Sequence, residues 1–273
     1  MIKYSDLISD KEFKTIVNFI SKKWNSRFDN STSIAIGDRN IEIHSFKKAL
    51  QNYHWPYKIK EPLPNGYDYC GSSFQSSSAI LKLSSEKLKS KKDFKNGAAI
   101  VLQWGGVVSK NLERIQDLSF SEFNYEIENA RSNWEGICNG ELDFGSESIS
   151  FHINAGYSKI YSLLLNDFII YDSRVAAALA AIISEVLGGP PKNWTLKIPS
   201  PRVEIDRRMP IKFNKVNTKK QYWQSNVIAN IIVAEVCNKI NVKVKTVSIR
   251  EIEAALFMLG DDIRKLKGIN KKK

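Results

Sequence analysis

Residues Ile153 to Leu187 read INAGYSKIYSLLLNDFIIYDSRVAAALAAIISEVL, and this stretch decides the predicted fold. It contains a turn with Gly156, a short helix, an apolar segment and a second helix built from strong helix formers. The second helix is expected to end at Gly188–Gly189, since glycine commonly follows a helix C-terminus. Asp172 stands just before this helix, where its side chain can cap the first free N–H groups. The stretch therefore predicts two consecutive helices with a polar side chain near each N-terminus.

The rest of the chain divides into a mixed N-terminal region and a helical core. Over residues 1–96 a helical rhythm, strand-like alternation and a proline-rich aromatic stretch predict a mixed α/β region. From residue 97 helical patterns dominate, which predicts a mainly α core over 97–268 and a flexible basic tail over 269–273. We predict strands within 31–45 with a turn at Gly37–Asp38, a loop over 72–78, and helices over 11–23, 97–115 (weakened at Gly105–Gly106), 120–130, 221–240 and from the Ser248–Glu251 capping box onward.

The strongest bulk signal is charge. The 273 residues include 41 Lys and Arg against 29 Asp and Glu, a formal net charge of +12 at pH 7. Such a surplus attracts polyanions, because each neutralised phosphate releases counterions. The alternative is a merely basic, soluble protein, or lysine enrichment from an AT-rich genome. The charge favours a nucleic acid as partner.

Several classes are excluded by composition. No uninterrupted apolar run reaches the roughly 18 residues of a membrane span, so no membrane partner is expected. The N-terminus carries charges where a signal peptide has an apolar core, which favours the cytoplasm. Cys70, Cys138 and Cys237 lie far apart and no histidine has ligand spacing, so neither a metal nor another cofactor is expected.

Asp172 is the first candidate catalytic residue. Capping hydrogen bonds and the helix dipole favour its carboxylate form. A fixed carboxylate can stabilise a cationic sugar transition state or direct a nucleophile. Helix capping alone is the competing interpretation.

Lys159 is the second candidate. It follows Gly156, Tyr157 and Ser158 near the start of the short helix, where the dipole disfavours a cation. A neutral lysine can attack a sugar carbon and form a Schiff base. A solvent-facing or phosphate-contacting lysine is the alternative. The N–H groups of the turn, with Tyr157 and Ser158, can also contact a phosphate, unless they form an ordinary interhelical turn.

INAGYSK resembles the hairpin, and IIYDSRV the aspartate segment, of the helix-hairpin-helix DNA glycosylase superfamily, in particular 8-oxoguanine DNA glycosylase-like bacterial proteins. The resemblance implies a helix-hairpin-helix glycosylase-like core in which Asp172 is the catalytic aspartate and Lys159 the Schiff-base lysine of members with lyase activity. IVLQWGGV resembles the family helix whose glutamine, here Gln103, enters the DNA stack. Some of these bacterial proteins belong to phage-defence loci, so the resemblance implies DNA repair or antiviral defence.

Other side chains can contact the nucleic acid. Trp104 can stack on a base, although a helical tryptophan is more often buried in a core. Arg174 can pair with Asp172 or with a phosphate, and the loop carrying Arg207 and Arg208 can bind the backbone or simply be solvated. The aromatic cluster can line a pocket for a flipped base or pack beneath a loop; its members are Tyr53, Trp55, Tyr57, Tyr67 and Tyr69.

Together these features predict a DNA glycosylase that flips a nucleotide out of double-stranded DNA and cleaves the bond between its base and sugar. One alternative is a catalytically inactive nucleic-acid-binding module on the same fold. A second is a glycosylase for free or RNA-linked modified nucleosides, whose substrate binding would depend weakly on salt.

Overall fold

The computed structural model describes residues 3–36, 39–144, 149–199, 214–244 and 247–261, and over these residues the protein is mainly helical, as predicted. The helices are α1 (Tyr4–Ser9), α2 (Lys11–Lys23), α3 (Phe46–Gln51), α4 (Phe74–Leu88), α5 (Phe94–Trp104), α6 (Ser109–Asp117), α7 (Phe120–Cys138), α8 (Ala155–Leu164), α9 (Ser173–Leu187), α10 (Lys219–Val244) and α11 (Ile249–Leu259). The strands are β1 (Thr32–Ile36), β2 (Arg39–Ile43), β3 (Tyr57–Lys58), β4 (Cys70–Gly71), β5 (Lys197–Ile198) and β6 (Asn214–Lys215).

The strands form three separate pairs. β1 and β2 are antiparallel with Ile34 opposite Ile41, which confirms the predicted strands. The predicted turn at Gly37–Asp38 lies outside the described residues. β3 pairs antiparallel with β4, and β5 pairs parallel with β6.

Two predicted elements are wrong. The serine-rich stretch 72–78 is not a loop, because Ser73 caps α4 by accepting a hydrogen bond from the Ser76 N–H, and the helix then buries Ile80 and Leu88. The helix predicted over 97–115 is two helices, since α5 ends at Trp104 and Gly106 adopts a φ of +65° before α6 begins.

The best-marked predictions are confirmed. α11 begins with the predicted capping box, in which the Glu251 N–H donates to Ser248 Oγ and the Ser248 N–H donates to Glu251 Oε2. α9 begins after Asp172 and ends at Gly188, whose φ of +78° closes the helix. α7 and α10 extend beyond the ranges predicted for them.

α9 lies at the centre of the core. Ten consecutive residues from Val175 to Ser184 are buried, because α2 and α11 pack against the helix and β5 lies beside it. Helices from both predicted regions contribute to one hydrophobic cluster, which extends from Leu7 to Leu259. The predicted boundary at residue 96 therefore separates sequence patterns that share a core. Among the described residues, no helix is long and apolar enough to cross a membrane.

Candidate active site

The N-terminus of α9 holds Asp172 in a fixed orientation. Its Oδ1 accepts hydrogen bonds from the N–H groups of Arg174 (2.9 Å) and Val175 (3.1 Å), so the residue caps the helix as predicted. One oxygen is sufficient for both capping bonds. The second oxygen, Oδ2, is left to face another group.

That group is Lys159. Its Nζ lies 3.6 Å from Asp172 Oδ2 and donates a hydrogen bond to the Ala155 carbonyl at 3.2 Å. The lysine is 3% exposed, which rules out the solvent-facing interpretation of this side chain. The tertiary structure thus brings the two candidate catalytic side chains together across 13 residues of sequence.

The local position of Lys159 differs from the prediction. α8 begins at Ala155, so Lys159 is its fifth residue and lies one turn inside the helix. The helix dipole falls off within the first turn, and it is therefore weaker here than at the helix end. The position of the amine is instead set by burial beside Gly105, where an added Cβ would lie only 2.3 Å from Lys159 Cε.

The segment 168–171 that leads to Asp172 is buried and belongs to no strand. Side chains supply the hydrogen bonds that a neighbouring strand would supply. The Ile169 N–H donates to Asn230 Oδ1 at 2.5 Å, and the Ile170 N–H donates to Glu253 Oε2 at 2.7 Å. Tyr222 donates its hydroxyl proton to the Tyr171 carbonyl. Helices α10 and α11 therefore fix the approach to Asp172.

The Lys159–Asp172 pair lines a partly enclosed pocket in which about 20 Å³ can be reached by the centre of a water-sized sphere, against about 440 Å³ when narrow gaps and the open mouth are included. Five aromatic side chains form its walls, namely Tyr53, Trp55, Phe74, Trp104 and Phe257. Residues from distant parts of the chain, between 53 and 257, contribute to this single pocket.

A second ion pair lines the same pocket. Arg250 Nη1 lies 2.7 Å from both carboxylate oxygens of Glu253, and Arg250 Nη2 also contacts Ser162. Burial raises the pKa of Glu253, and the nearby Asp172 charge adds to this effect, while Arg250 opposes it. Sequence reasoning missed both residues. The available signal was Glu253 itself, a charged residue directly before the apolar run AALFML.

Gly156, Tyr157 and Ser158, which we predicted to contact a phosphate, lie within α8. Gly156 lies inside the first turn of α8, and Asn154 Oδ1 already accepts hydrogen bonds from the Gly156 and Tyr157 N–H groups. The side chains of Tyr157 and Ser158 are fully buried, and Arg114 donates to the Tyr157 hydroxyl at 2.9 Å. These three residues are therefore occupied by helix capping and core packing.

Gln103 and Arg174 are also engaged within the protein. Gln103 accepts a hydrogen bond from the Lys60 N–H (2.6 Å) and donates to Glu61 Oε1 (3.1 Å), so it does not project as a free wedge. Arg174 forms an ion pair with Asp261 at 2.7 Å and stacks over Trp55 and Phe257, rather than pairing with Asp172.

The other predicted contacts have mixed outcomes. Trp104 is 5% exposed. It lines the pocket together with Tyr53 and Trp55 of the aromatic cluster. Tyr57, Tyr67 and Tyr69 do not line it. Arg207, Arg208 and the tail 269–273 lie outside the described residues. In the part of the chain that the structure describes, no three His, Cys, Asp or Glu side chains are grouped as a metal site.

Comparisons with protein-family models, with curated proteins and with solved structures find no match to this chain. The function is therefore argued from the pocket and its charges.

Proposed function

We propose that this protein is a DNA glycosylase-like enzyme that cleaves the N-glycosidic bond of a modified or damaged base flipped out of double-stranded DNA. The observation that carries the proposal is the pair formed by Lys159 Nζ and Asp172 Oδ2, 3.6 Å apart in the wall of an aromatic pocket. Its biological setting would be DNA repair or antiviral defence.

Asp172 would act on the sugar. Breaking the bond between base and sugar develops positive charge at C1′, and a fixed carboxylate lowers the energy of that state. The two N–H groups bound to Oδ1 hold the carboxylate in place before the reaction begins. Reorganisation is then small, which is the condition under which electrostatic stabilisation is most effective.

Lys159 would be the nucleophile if a lyase step follows. After losing its proton, the amine bonds to C1′ while the bond to the base breaks, and the departing base takes that electron pair and a proton. The nitrogen lone pair then forms the C1′=N bond while the C1′–O4′ bond breaks, and the remaining amine proton passes to O4′, which leaves a Schiff base on C1′. Without this step a water molecule attacks C1′ and Asp172 directs it.

The pocket and the charge support a nucleic-acid substrate. Aromatic side chains stack on a flipped base whatever its identity. The net charge of +12 favours phosphate binding, and the chain needs both properties to hold an extruded nucleotide.

The decisive experiment is borohydride trapping on duplexes that each contain one modified base. Borohydride reduces the Schiff base to a stable amine, so the lyase route gives a covalent protein–DNA adduct with wild type, whereas attack by water releases the base without an adduct. The adduct should be lost in Lys159→Ala and kept in Lys82→Ala, a matched change of an exposed lysine. A duplex panel that gives neither adduct nor released base contradicts the proposal.

Asp172→Asn tests the carboxylate while keeping the helix cap, because an asparagine side chain also accepts capping hydrogen bonds. We expect base release to fall at least about a hundredfold, the scale seen when one electrostatic stabiliser is removed. Thermal unfolding of the same variant shows whether the loss is chemical or structural.

One observation favours a catalytically inactive nucleic-acid-binding module instead. The ammonium of Lys159 and the carboxylate of Asp172 neutralise each other, and a buried ion pair can be purely structural. If Lys159→Ala and Asp172→Asn keep the full biological effect while Arg207→Ala and Arg208→Ala lose it, the module is the correct assignment.

A further inference from the structure

The indole N–H of Trp104 has no hydrogen-bond partner among the described residues. Trp104 is 5% exposed and lines the pocket that also contains Lys159 and Asp172. Buried donors in folded proteins are nearly always paired, since an unpaired one loses its hydration without compensation. An unpaired donor on a residue that lines a pocket can donate a hydrogen bond to an acceptor atom of a bound ligand.

Two other buried tryptophans donate their indole N–H groups within the protein. Trp134 donates its N–H to the Asn166 carbonyl at 3.1 Å, and Trp223 donates to Asn133 Oδ1 at 2.7 Å. Trp55, also in the pocket wall, donates to the Trp104 carbonyl at 2.7 Å. Trp194 does not line the pocket. Trp104 combines an unpaired donor with a position in the pocket wall.

Trp104 also lies next to the reactive pair. It precedes Gly105, the residue against which the Lys159 side chain packs. Trp104 and Lys159 also line the same pocket.

We propose that Trp104 is a specificity-determining residue, whose indole N–H donates a hydrogen bond to an acceptor atom on a planar heteroaromatic ring bound in this pocket. The inference rests on the proposed function and states which feature of the base the pocket reads. The aromatic walls select a flat ring, while Trp104 selects a carbonyl oxygen or an unprotonated ring nitrogen. A ring that presents C–H at this point leaves the donor unpaired and binds less well.

The test is calorimetric binding of free nucleobases to the full chain. Each natural purine and pyrimidine is compared with analogues in which one ring nitrogen is replaced by C–H or one carbonyl is removed. For the preferred base, one analogue should bind wild type about three- to tenfold more weakly, as expected for one neutral hydrogen bond. Trp104→Phe should bind the parent base more weakly than wild type by the same factor. Its affinity for that analogue should equal the affinity of wild type for the analogue.

Trp134→Phe is the matched control, because its N–H is paired inside the protein and the residue does not line the pocket. It should leave the ratio between the affinities for the parent base and the analogue unchanged. A second readout does not depend on the stability of the variant: the Trp104 indole N–H resonance of wild type should move downfield when the base saturates, while the Trp134 resonance stays in place.

Three results would overturn the inference: no base binds, every analogue binds as well as its parent, or Trp104→Phe weakens parent and analogues alike. Failure of the proposed function gives a different pattern. Base discrimination that depends on Trp104, without a borohydride adduct or base release from any duplex, removes the enzymatic step and leaves the binding pocket.

Discussion

Asp172 uses its two carboxylate oxygens differently, and this division makes the candidate site possible. Oδ1 satisfies two N–H groups at the start of α9, and Oδ2 faces Lys159. Capping and catalysis therefore do not compete for the same atom. The two interpretations that the sequence leaves open for Asp172 are compatible in the folded protein.

Gly105 is the residue whose change should disturb Lys159 most selectively. In Gly105→Ala the new Cβ would lie 2.3 Å from Lys159 Cε, so the flexible lysine must move, while the backbone φ of −84° suits alanine. We expect borohydride trapping to fall at least about tenfold, because small misplacement of a reacting group is costly. The free energy of unfolding, measured by thermal unfolding, should change by less than about 1 kcal/mol.

Gly189→Ala is the matched control, since no atom lies within 4 Å of the added Cβ. It should leave trapping unchanged. Equal trapping by wild type and Gly105→Ala would show that the packing of Lys159 against Gly105 does not position the amine.

His152 gives a pH dependence with a defined sign. Burial, assisted by the charges of Arg114 and Lys219, lowers its pKa to about 4, against roughly 6.5 in the unfolded chain. Between these values the unfolded state binds more protons, so stability rises with pH and is lost as pH falls from about 6.5 toward 4. Because the side chain is half-buried, we discount the loss for screening to about 1 kcal/mol.

His152→Gln removes this titration, and denaturant unfolding at pH 7 and pH 4.5 measures it. Between pH 7 and pH 4.5 the unfolding free energy of wild type should fall by more than that of the variant. The comparison with the variant is needed because burial raises the pKa of Glu253, so protonation of Glu253 changes stability in the opposite direction as pH falls. A constant difference across the window would contradict the assignment.

At the scale of elements, α9 and α11 form the frame of the site. α9 carries Asp172 at its N-terminus, while α11 contributes Arg250, Glu253 and Phe257 to the pocket. Gly260, at the end of α11, lies against the Arg174 backbone of α9.

Gly260→Ala should force the two helices apart. Its Cβ would lie 1.9 Å from the Arg174 carbonyl oxygen, and a backbone atom cannot move aside as a side-chain end can. We expect a loss of about 2 kcal/mol in unfolding free energy, typical of overpacking, together with weaker base binding. Chemical denaturation measures the first effect. A stability equal to that of Gly189→Ala would contradict the close contact.

At the scale of the whole molecule, the net charge of +12 makes the salt dependence of binding a test between a DNA substrate and a free nucleoside. If about four phosphates are contacted, affinity for a duplex should fall about a hundredfold between 50 and 200 mM salt. A nucleoside makes few such contacts, so its binding should change little. Fluorescence anisotropy with a labelled duplex, at several salt concentrations, measures the slope. A flat slope for the duplex would favour the nucleoside glycosylase.

The sequence by itself determined the elements whose signals are local. The capping box of Ser248 and Glu251, the cap at Asp172 and the terminating Gly188 each depend on residues within a few positions, so α9 and α11 are predicted well. The serine-rich start of α4 was missed, because its burial depends on distant partners that the sequence does not reveal.

The tertiary structure alone decided which side chains meet. The distance between Lys159 and Asp172, the role of Glu253 and the unpaired N–H of Trp104 all result from packing between α5, α8, α9 and α11. Local patterns determine where a helix begins and which face is apolar, whereas a site formed by residues 53 to 257 depends on long-range contacts. That is the physical reason why the sequence predicted the candidate pair but not the pocket around it.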